Sequence, residues 1–474
     1  MVAPRFALAL LGCTALLLTG CAGNGGSRDG TADGTGATGE RRPAPRDRDG
    51  RSESRTGDFD KDGYDDFVTA EANRASGGSW ARHVVVVPGS KSGLDAARAT
   101  RYSDVYSGPL LRGDLDGDGF TDLVATREPT RPGRKAEPGA AYQAVVMFGG
   151  RNGLAKPVTV AAQRQFLAMA VADVNGDGSL DLIDRGKGAQ EKDPSRIPGR
   201  IAYGPFDRDG APARLVVKDW KAAGGGATAG DFDGDGFDDL LFTGSSPYSD
   251  DEEPGSDPTP AAAYFRGSPD GPVPAALPEG LDNSTEDGVL TPLAGDADGD
   301  GVTDLLVGGG GISSPADGLD AGQLTLVYGA AGGPGTGRRN TVYDQETPGI
   351  PGDSQGKDLF GAVSGTGDVN DDGHPDLVLN TPGEDKAGRF TLLPGATDGS
   401  GPDPSRATAF DAKIYGQEAI NATLPALDIN GDRYADVVAE TPGGLLLFPG
   451  GKAKFPAGDP KLTKAAKVGM GPRN

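Results

Sequence analysis

Residues 114–122 read Asp114-Leu115-Asp116-Gly117-Asp118-Gly119-Phe120-Thr121-Asp122, with the apolar pair Leu123-Val124 directly behind them. The same nine-residue pattern opens at Asp58, Asp173, Asp231, Asp296, Asp368 and Asp428, seven copies in all, at intervals of about sixty residues, which marks a repeat architecture. Oxygens at positions 1, 3, 5 and 9 of a tight turn, with the backbone carbonyl of position 7, converge on one hard cation of the calcium type. In the copy above these are Asp114, Asp116, Asp118, Asp122 and the carbonyl of Phe120. Gly119, at position 6, permits the positive φ of a sharp reversal.

The other copies supply the same set. The first offers Asp58, Asp60, Asp62, Tyr64 and Asp66; the third Asp173, Asn175, Asp177, Ser179 and Asp181. The fourth offers Asp231, Asp233, Asp235, Phe237 and Asp239; the fifth Asp296, Asp298, Asp300, Val302 and Asp304. The sixth has Asp368, Asn370, Asp372, His374 and Asp376, and the seventh Asp428, Asn430, Asp432, Tyr434 and Asp436, with Arg433 in place of the position 6 glycine. Up to seven structural calcium ions are expected. An EF-hand shares the opening but needs a bidentate Glu at position 12 between two helices. Here position 12 is Thr69, Ala125, Asp184, Phe242, Val307, Leu379 or Ala439, and strand-like residues surround it.

Charge supports a metal reading. The side-chain ligand positions hold 25 aspartates, while the net charge of the whole chain is −23. Seven divalent ions would leave about −9, ordinary for a soluble chain of this size. Nucleic-acid binding, which needs basic patches, is disfavoured.

Each period carries strands around its loop. Small and apolar residues precede it, as in Ala168-Met169-Ala170-Val171-Ala172, and a further strand ends in a Gly turn, as in Val145-Val146-Met147-Phe148-Gly149. A weaker outer strand follows in several repeats, for example Ala213 to Lys218. β-branched and aromatic runs bounded by Gly and Pro predict strands, and no stretch has sustained helical periodicity. The expected fold is all-β: a seven-bladed β-propeller over residues 58–470, with four antiparallel strands and one calcium loop per blade.

The chain resembles the FG-GAP, or integrin-alpha-type, repeats that also occur in bacterial surface proteins of the VCBS type. The sixth repeat carries the likeness best, with Phe360-Gly361, the loop from Asp368 to Gly373, Thr381-Pro382-Gly383 where the family has Gly-Ala-Pro, and Phe390 to Gly395 closing it. The resemblance implies that each loop joins the first two strands of a blade and binds calcium structurally. Only the sixth repeat opens with a clear Phe-Gly, and the first is preceded by the polar Arg51 to Gly57.

The N-terminus is read as a signal. Arg5 precedes an apolar run from Phe6 to Leu18, followed by Leu18-Thr19-Gly20-Cys21, which resembles a bacterial lipobox. The run is too short to span a bilayer. Residues 1–20 are expected to be removed and Cys21 lipidated, anchoring the chain outside the bacterial cell membrane. Cys13 lies inside the apolar run, so no intramolecular disulfide would remain after cleavage. Residues 21–57, rich in Gly, Pro and charge, predict a disordered tether with a reach of roughly 30 to 36 Å.

Alternating strand direction places the calcium loops on one face and the second-to-third connections on the other: residues 71–82, 127–139, 185–199, 244–262, 308–322 and 380–388. Loops on a rigid scaffold are common binding sites, so this face is the expected site for a protein or glycan ligand, bound by a monomer. Trp80, in a Gly-Ser context, is the candidate stacking residue, and Trp220 is read as packing. No catalytic residue is assigned. The two histidines, His83 and His374, fall at a strand start and at position 7 of a loop, and Thr-Pro-Gly at 381–383 and 441–443 reads as a turn. A hydrolase or lyase acting on an extracellular polymer, or a scaffold for envelope proteins, is the alternative.

Overall fold

In a computed structural model the described residues run from 57 to 468, without 75–79, 103–105, 128–141, 163–164, 188–196, 219, 221–225, 244–261, 279–280, 282–291, 310–320, 363 and 453. The expected signal, Cys21 and the tether up to residue 56 lie outside them. So do most of the connections proposed as the ligand face.

Seven antiparallel sheets succeed one another along the chain, each from consecutive strands, as a propeller requires. Blade 2 is typical: β4 (Tyr106–Gly113), β5 (Asp122–Arg127), β6 (Gln143–Met147) and β7 (Val158–Thr159). Its acidic loop joins β4 to β5, with Gly113 opposite Asp122 and Leu123 opposite Met147. The second strands are buried along almost their whole length, since each sheet face packs on a neighbouring blade: Asp239–Thr243 and Asp376–Thr381 are buried throughout. Helix is confined to four short 3-10 turns among the described residues.

Blade 1 differs. Its sheet has three strands among the described residues, β1 (Phe67–Arg74), β2 (Trp80–Val87) and β3 (Thr100–Tyr102), while the other six sheets have four. At its inner edge the Gly57 carbonyl accepts the Asp66 N–H at 2.9 Å.

Among the described residues the ring closes without strand exchange. Phe67, Val85 and Val87 of blade 1 pack with Leu427, Ile429, Val438, Leu445 and Leu447 of blade 7 in one buried cluster. Thr69 Oγ1 donates to Glu440 Oε1 at 2.5 Å across the same seam.

Two readings from sequence are corrected. Trp80 does not sit in a loop: it starts β2, paired with Arg74, and the connection shortens to residues 75–79. His83 lies within β2, opposite Glu71, rather than at its start. Cross-strand pairing extends this hairpin through residues whose composition suggested a turn. Trp220 is buried as expected, 4.9 Å from the Phe242 ring and 5.2 Å from that of Phe265.

Candidate metal centres

Each acidic loop is shaped by its own aspartates. In all seven, position 1 Oδ2 accepts the backbone N–H of position 6, as Asp114 does from Gly119 at 2.7 Å and Asp428 from Arg433 at 3.0 Å. Position 5 Oδ1 accepts the N–H of position 7 in every copy, at 2.8 Å between Asp300 and Val302 and 3.1 Å between Asp62 and Tyr64. These local side-chain bonds replace helix or sheet pairing and curl the chain around a small centre. Arg433 accommodates the turn at φ 78°, so the missing glycine does not change the loop's shape.

Carboxylate oxygens converge in consequence. Those of Asp58, Asp60 and Asp62 lie within 4.8 Å of one another, as do those of Asp231, Asp233 and Asp235, of Asp296, Asp298 and Asp300, and of Asp114, Asp116 and Asp122. The third, sixth and seventh loops have an amide at position 3 instead, and Asn175 and Asn430 accept the position 5 N–H at 3.2 and 2.9 Å. A divalent oxygen-seeking cation fits this donor set. Asp231 is largely buried, and burial together with Asp233 and Asp235 beside it disfavours its charged form, a disadvantage that a cation would offset.

Position 9 has a second role that sequence reasoning missed. Its Oδ1 accepts the N–H of the glycine ending the third strand in all seven blades, from Gly149 to Asp122 at 2.8 Å and from Gly450 to Asp436 at 2.8 Å. Its Oδ2 accepts the position 2 N–H in six, as from Ala297 to Asp304 at 2.8 Å; in the fourth, Asp239 accepts from Tyr264 Oη at 2.6 Å. This carboxylate therefore clamps the loop to the far end of its own sheet. The glycine is needed because a Cβ on Gly149 would stand 2.2 Å from the Thr121 carbonyl oxygen. The recurring glycine and the invariably apolar position 2, from Phe59 to Ile429, were the signals available in the sequence.

Asp304→Ala should strip acceptors from the Gly329 and Ala297 amides at once. The expected loss is about 3 kcal/mol, from two buried donors left unpaired, read by urea unfolding in the presence of calcium. An unchanged midpoint would mean that the clamp is dispensable.

The loops also touch one another. The position 8 N–H donates to the position 1 carbonyl of the preceding loop, from Asp238 to Asp173 at 3.0 Å, Thr303 to Asp231 at 3.1 Å and Ala435 to Asp368 at 3.0 Å. Asp65 does the same to Asp428 at 2.9 Å, and its Oδ2 accepts the Asp428 N–H at 2.8 Å, joining the first loop to the last.

Burial raises the position 9 carboxyls far above the ordinary range: to about 7 at Asp66, Asp122 and Asp239, about 8 at Asp181, Asp304 and Asp436, and about 6 at Asp376. Neighbouring aspartates push the same way.

On the opposite face, among the described residues, a buried polar knot holds the long segment after blade 5 onto blade 6. Arg389 lies 2.9 Å from Glu384 Oε1 and 2.6 Å from Asp411 Oδ1, and Gln345 Nε2 donates to Glu384 Oε2 at 2.7 Å. No helix of the described residues is long and apolar enough to cross a membrane.

Residues 114–183 match the FG-GAP-like repeat family, and residues 360–393 match the FG-GAP repeat family. A stretch of 161 residues, 33% of this chain, is 32% identical to the phosphatidylinositol-glycan-specific phospholipase D of Bos taurus and covers 18% of that protein. The chain thus spans less than a fifth of that relative's length. Two matched repeats, set in a ring whose other blades carry the same loop, clamp and glycine turn, make this chain an FG-GAP-type seven-bladed β-propeller.

Proposed function

We propose that the chain is a calcium-stabilised extracellular binding module, held to the bacterial cell membrane by lipid on Cys21, which presents the face opposite its calcium loops to a protein or glycan. The observation that supports this reading is the segregation of the acidic loops: in the six four-stranded sheets each joins the first strand to the second, and in blade 1 the loop leads into β1, so the loops share one face of the ring. Calcium there is structural. Positions 1, 3 and 5 would hold it, with Asp122 contributing in the second loop, and the cation would neutralise carboxylates that otherwise repel. The other face is left to the variable connections, backed by the Arg389 knot and rigid enough to display them. Propellers of this family serve chiefly as binding or scaffolding modules, and the chain acts here as a monomer without nucleic-acid partners.

The test is capture from native envelope extract, or on a glycan array, with calcium and then with chelator. Binding that needs calcium, and that is lost when residues 382–388 are exchanged for another blade's connection, is expected. Recognition that survives exchange of every connection on this face would reject the assignment.

The likeness to the bovine phospholipase favours a second reading, a hydrolase whose propeller supports chemistry at lipid-linked or polymeric substrates. Product released from phosphatidylinositol-glycan or from polysaccharide by the purified chain would establish it over the first.

A further inference from the structure

The turns that join third to fourth strands lie on the same face as the acidic loops, and three of them bond to the loop of the preceding blade. The Ser90 N–H donates to the Ile429 carbonyl at 3.1 Å, that of Gly150 to the Phe59 carbonyl at 3.1 Å and that of Gly451 to the Val369 carbonyl at 2.8 Å. Their charge is uneven around the ring. From the third-strand glycine to the end of the outer strand, blade 7 carries Lys452, Lys454, Lys461 and Lys464 against Asp459, and blade 2 carries Arg151 and Lys156 with no acid. Blade 1 has Lys91, Arg98 and Arg101 against Asp95. The same stretch holds only Asp270 in blade 4, and Asp398, Asp403 and Asp411 against Arg406 in blade 6. In blades 3 and 5, Arg208 turns inward onto Asp118 and Arg338 onto Asp298, as Arg98 does in blade 1 onto Asp62. Outward basic charge therefore gathers on blades 7, 1 and 2, in a chain whose net charge is −23.

These three turns make one continuous rim. Lys461 Nζ donates to the Ser92 carbonyl at 3.3 Å, joining blade 7 to blade 1, and Tyr102 Oη donates to the Leu154 carbonyl at 2.8 Å, joining blade 1 to blade 2. Lys91, Arg151, Lys156, Lys452, Lys454 and Lys461 are all exposed, and among the described residues none of the six pairs with a carboxylate. The chain enters the ring in the middle of this arc, where Gly57 leads directly into the loop of blade 1. A lipid on Cys21, 36 residues before Gly57, would hold this edge within roughly 30 to 36 Å of a bilayer.

We propose that the rim of blades 7, 1 and 2 docks on the anionic headgroups of the membrane that carries the anchor, turning the loop face toward the bilayer and the variable connections outward. This rests on the lipid-anchored reading above. Charges more than about 8 Å away are screened at physiological ionic strength, so the local arc decides the attraction in spite of the acidity elsewhere. Lysine suits the task, since its flexible stem carries a charge that needs no fixed partner geometry. Each basic residue near such a surface strengthens binding about fivefold.

The experiment is co-sedimentation of the full chain, made as Cys21→Ser so that no acyl chain contributes, with vesicles of phosphatidylcholine alone or mixed with phosphatidylglycerol, at constant calcium. The protein should bind the mixed vesicles, not the neutral ones, and release them as salt is raised. The variant with Lys452→Gln, Lys454→Gln and Lys461→Gln should bind on the order of a hundredfold more weakly. Lys357→Gln, Lys413→Gln and Lys467→Gln together, exposed residues of the opposite face, should leave binding unchanged. Equal binding to both vesicles, binding to neither, equal loss in the two triple variants, or preference for a soluble acidic polysaccharide over the mixed vesicles would overturn the proposal. The anchor is tested separately, by the mass of the Cys21 peptide from wild-type membranes: an unmodified Cys21 would overturn that reading whichever way the vesicles answer.

Discussion

Removal of calcium is expected to lower the melting temperature of the ring by about 20 °C, read by calorimetry or circular dichroism with and without chelator. Seven independent sites held at a hundred times their dissociation constant contribute roughly 19 kcal/mol. A ring of roughly 400 residues with an unfolding entropy near 2 cal/mol/K per residue converts this into a shift of that size. The structural reason is local: each loop gathers three or four carboxylates, and three of them lie within 4.8 Å in four of the blades. The backbone bonds between successive loops pass this strain from blade to blade, so the loss should be one cooperative transition. A melting curve indifferent to chelator would remove the metal from the account of the fold.

The second large effect is a reversal in pH dependence. In the chelated protein the position 9 carboxyls, raised by burial to about 7 at Asp122 and about 8 at Asp304 and Asp436, bind protons more tightly folded than unfolded. A carboxyl with a raised folded pKa contributes stability that is complete below its unfolded value near 4 and is lost as pH rises through the folded value. Chelated protein should therefore melt progressively lower between pH 5 and pH 8, by on the order of 10 °C. With calcium bound the sign inverts, because the cation is held by ionised carboxylates at positions 1, 3 and 5, with Asp122 in the second loop, and acid must displace it. The check is a melting series at both metal states, and parallel curves would contradict it.

Much of this was legible in the sequence, for a physical reason. The loop is encoded entirely by local residues, so its period, its turn glycines and the strands on either side could be read from the spacing of Asp and the apolar runs. What escaped depends on contacts distant in sequence. The clamp from Asp122 to Gly149 spans 27 residues, and the pairing of Arg208 with Asp118 spans 90. Neither spacing repeats regularly enough to announce itself. Trp80 was misplaced because Gly77, Gly78 and Ser79 suggested a loop, whereas pairing with β1 carries the strand through to it. Closure was hidden for the opposite reason: it relies on Phe67, Val85 and Leu427, residues that would be buried in any blade.

That closure bears on how freely the gene could be rearranged. Asp65 and Asp428 meet by the same exchange of backbone and carboxylate bonds that unites Asp238 with Asp173. At the loops the junction between blades 1 and 7 is thus built like an interior one. A circular permutant opened between blades 1 and 2, with blade 7 joined to blade 1 by a linker, would keep the loop-to-loop bonds of Asp65 and Asp428.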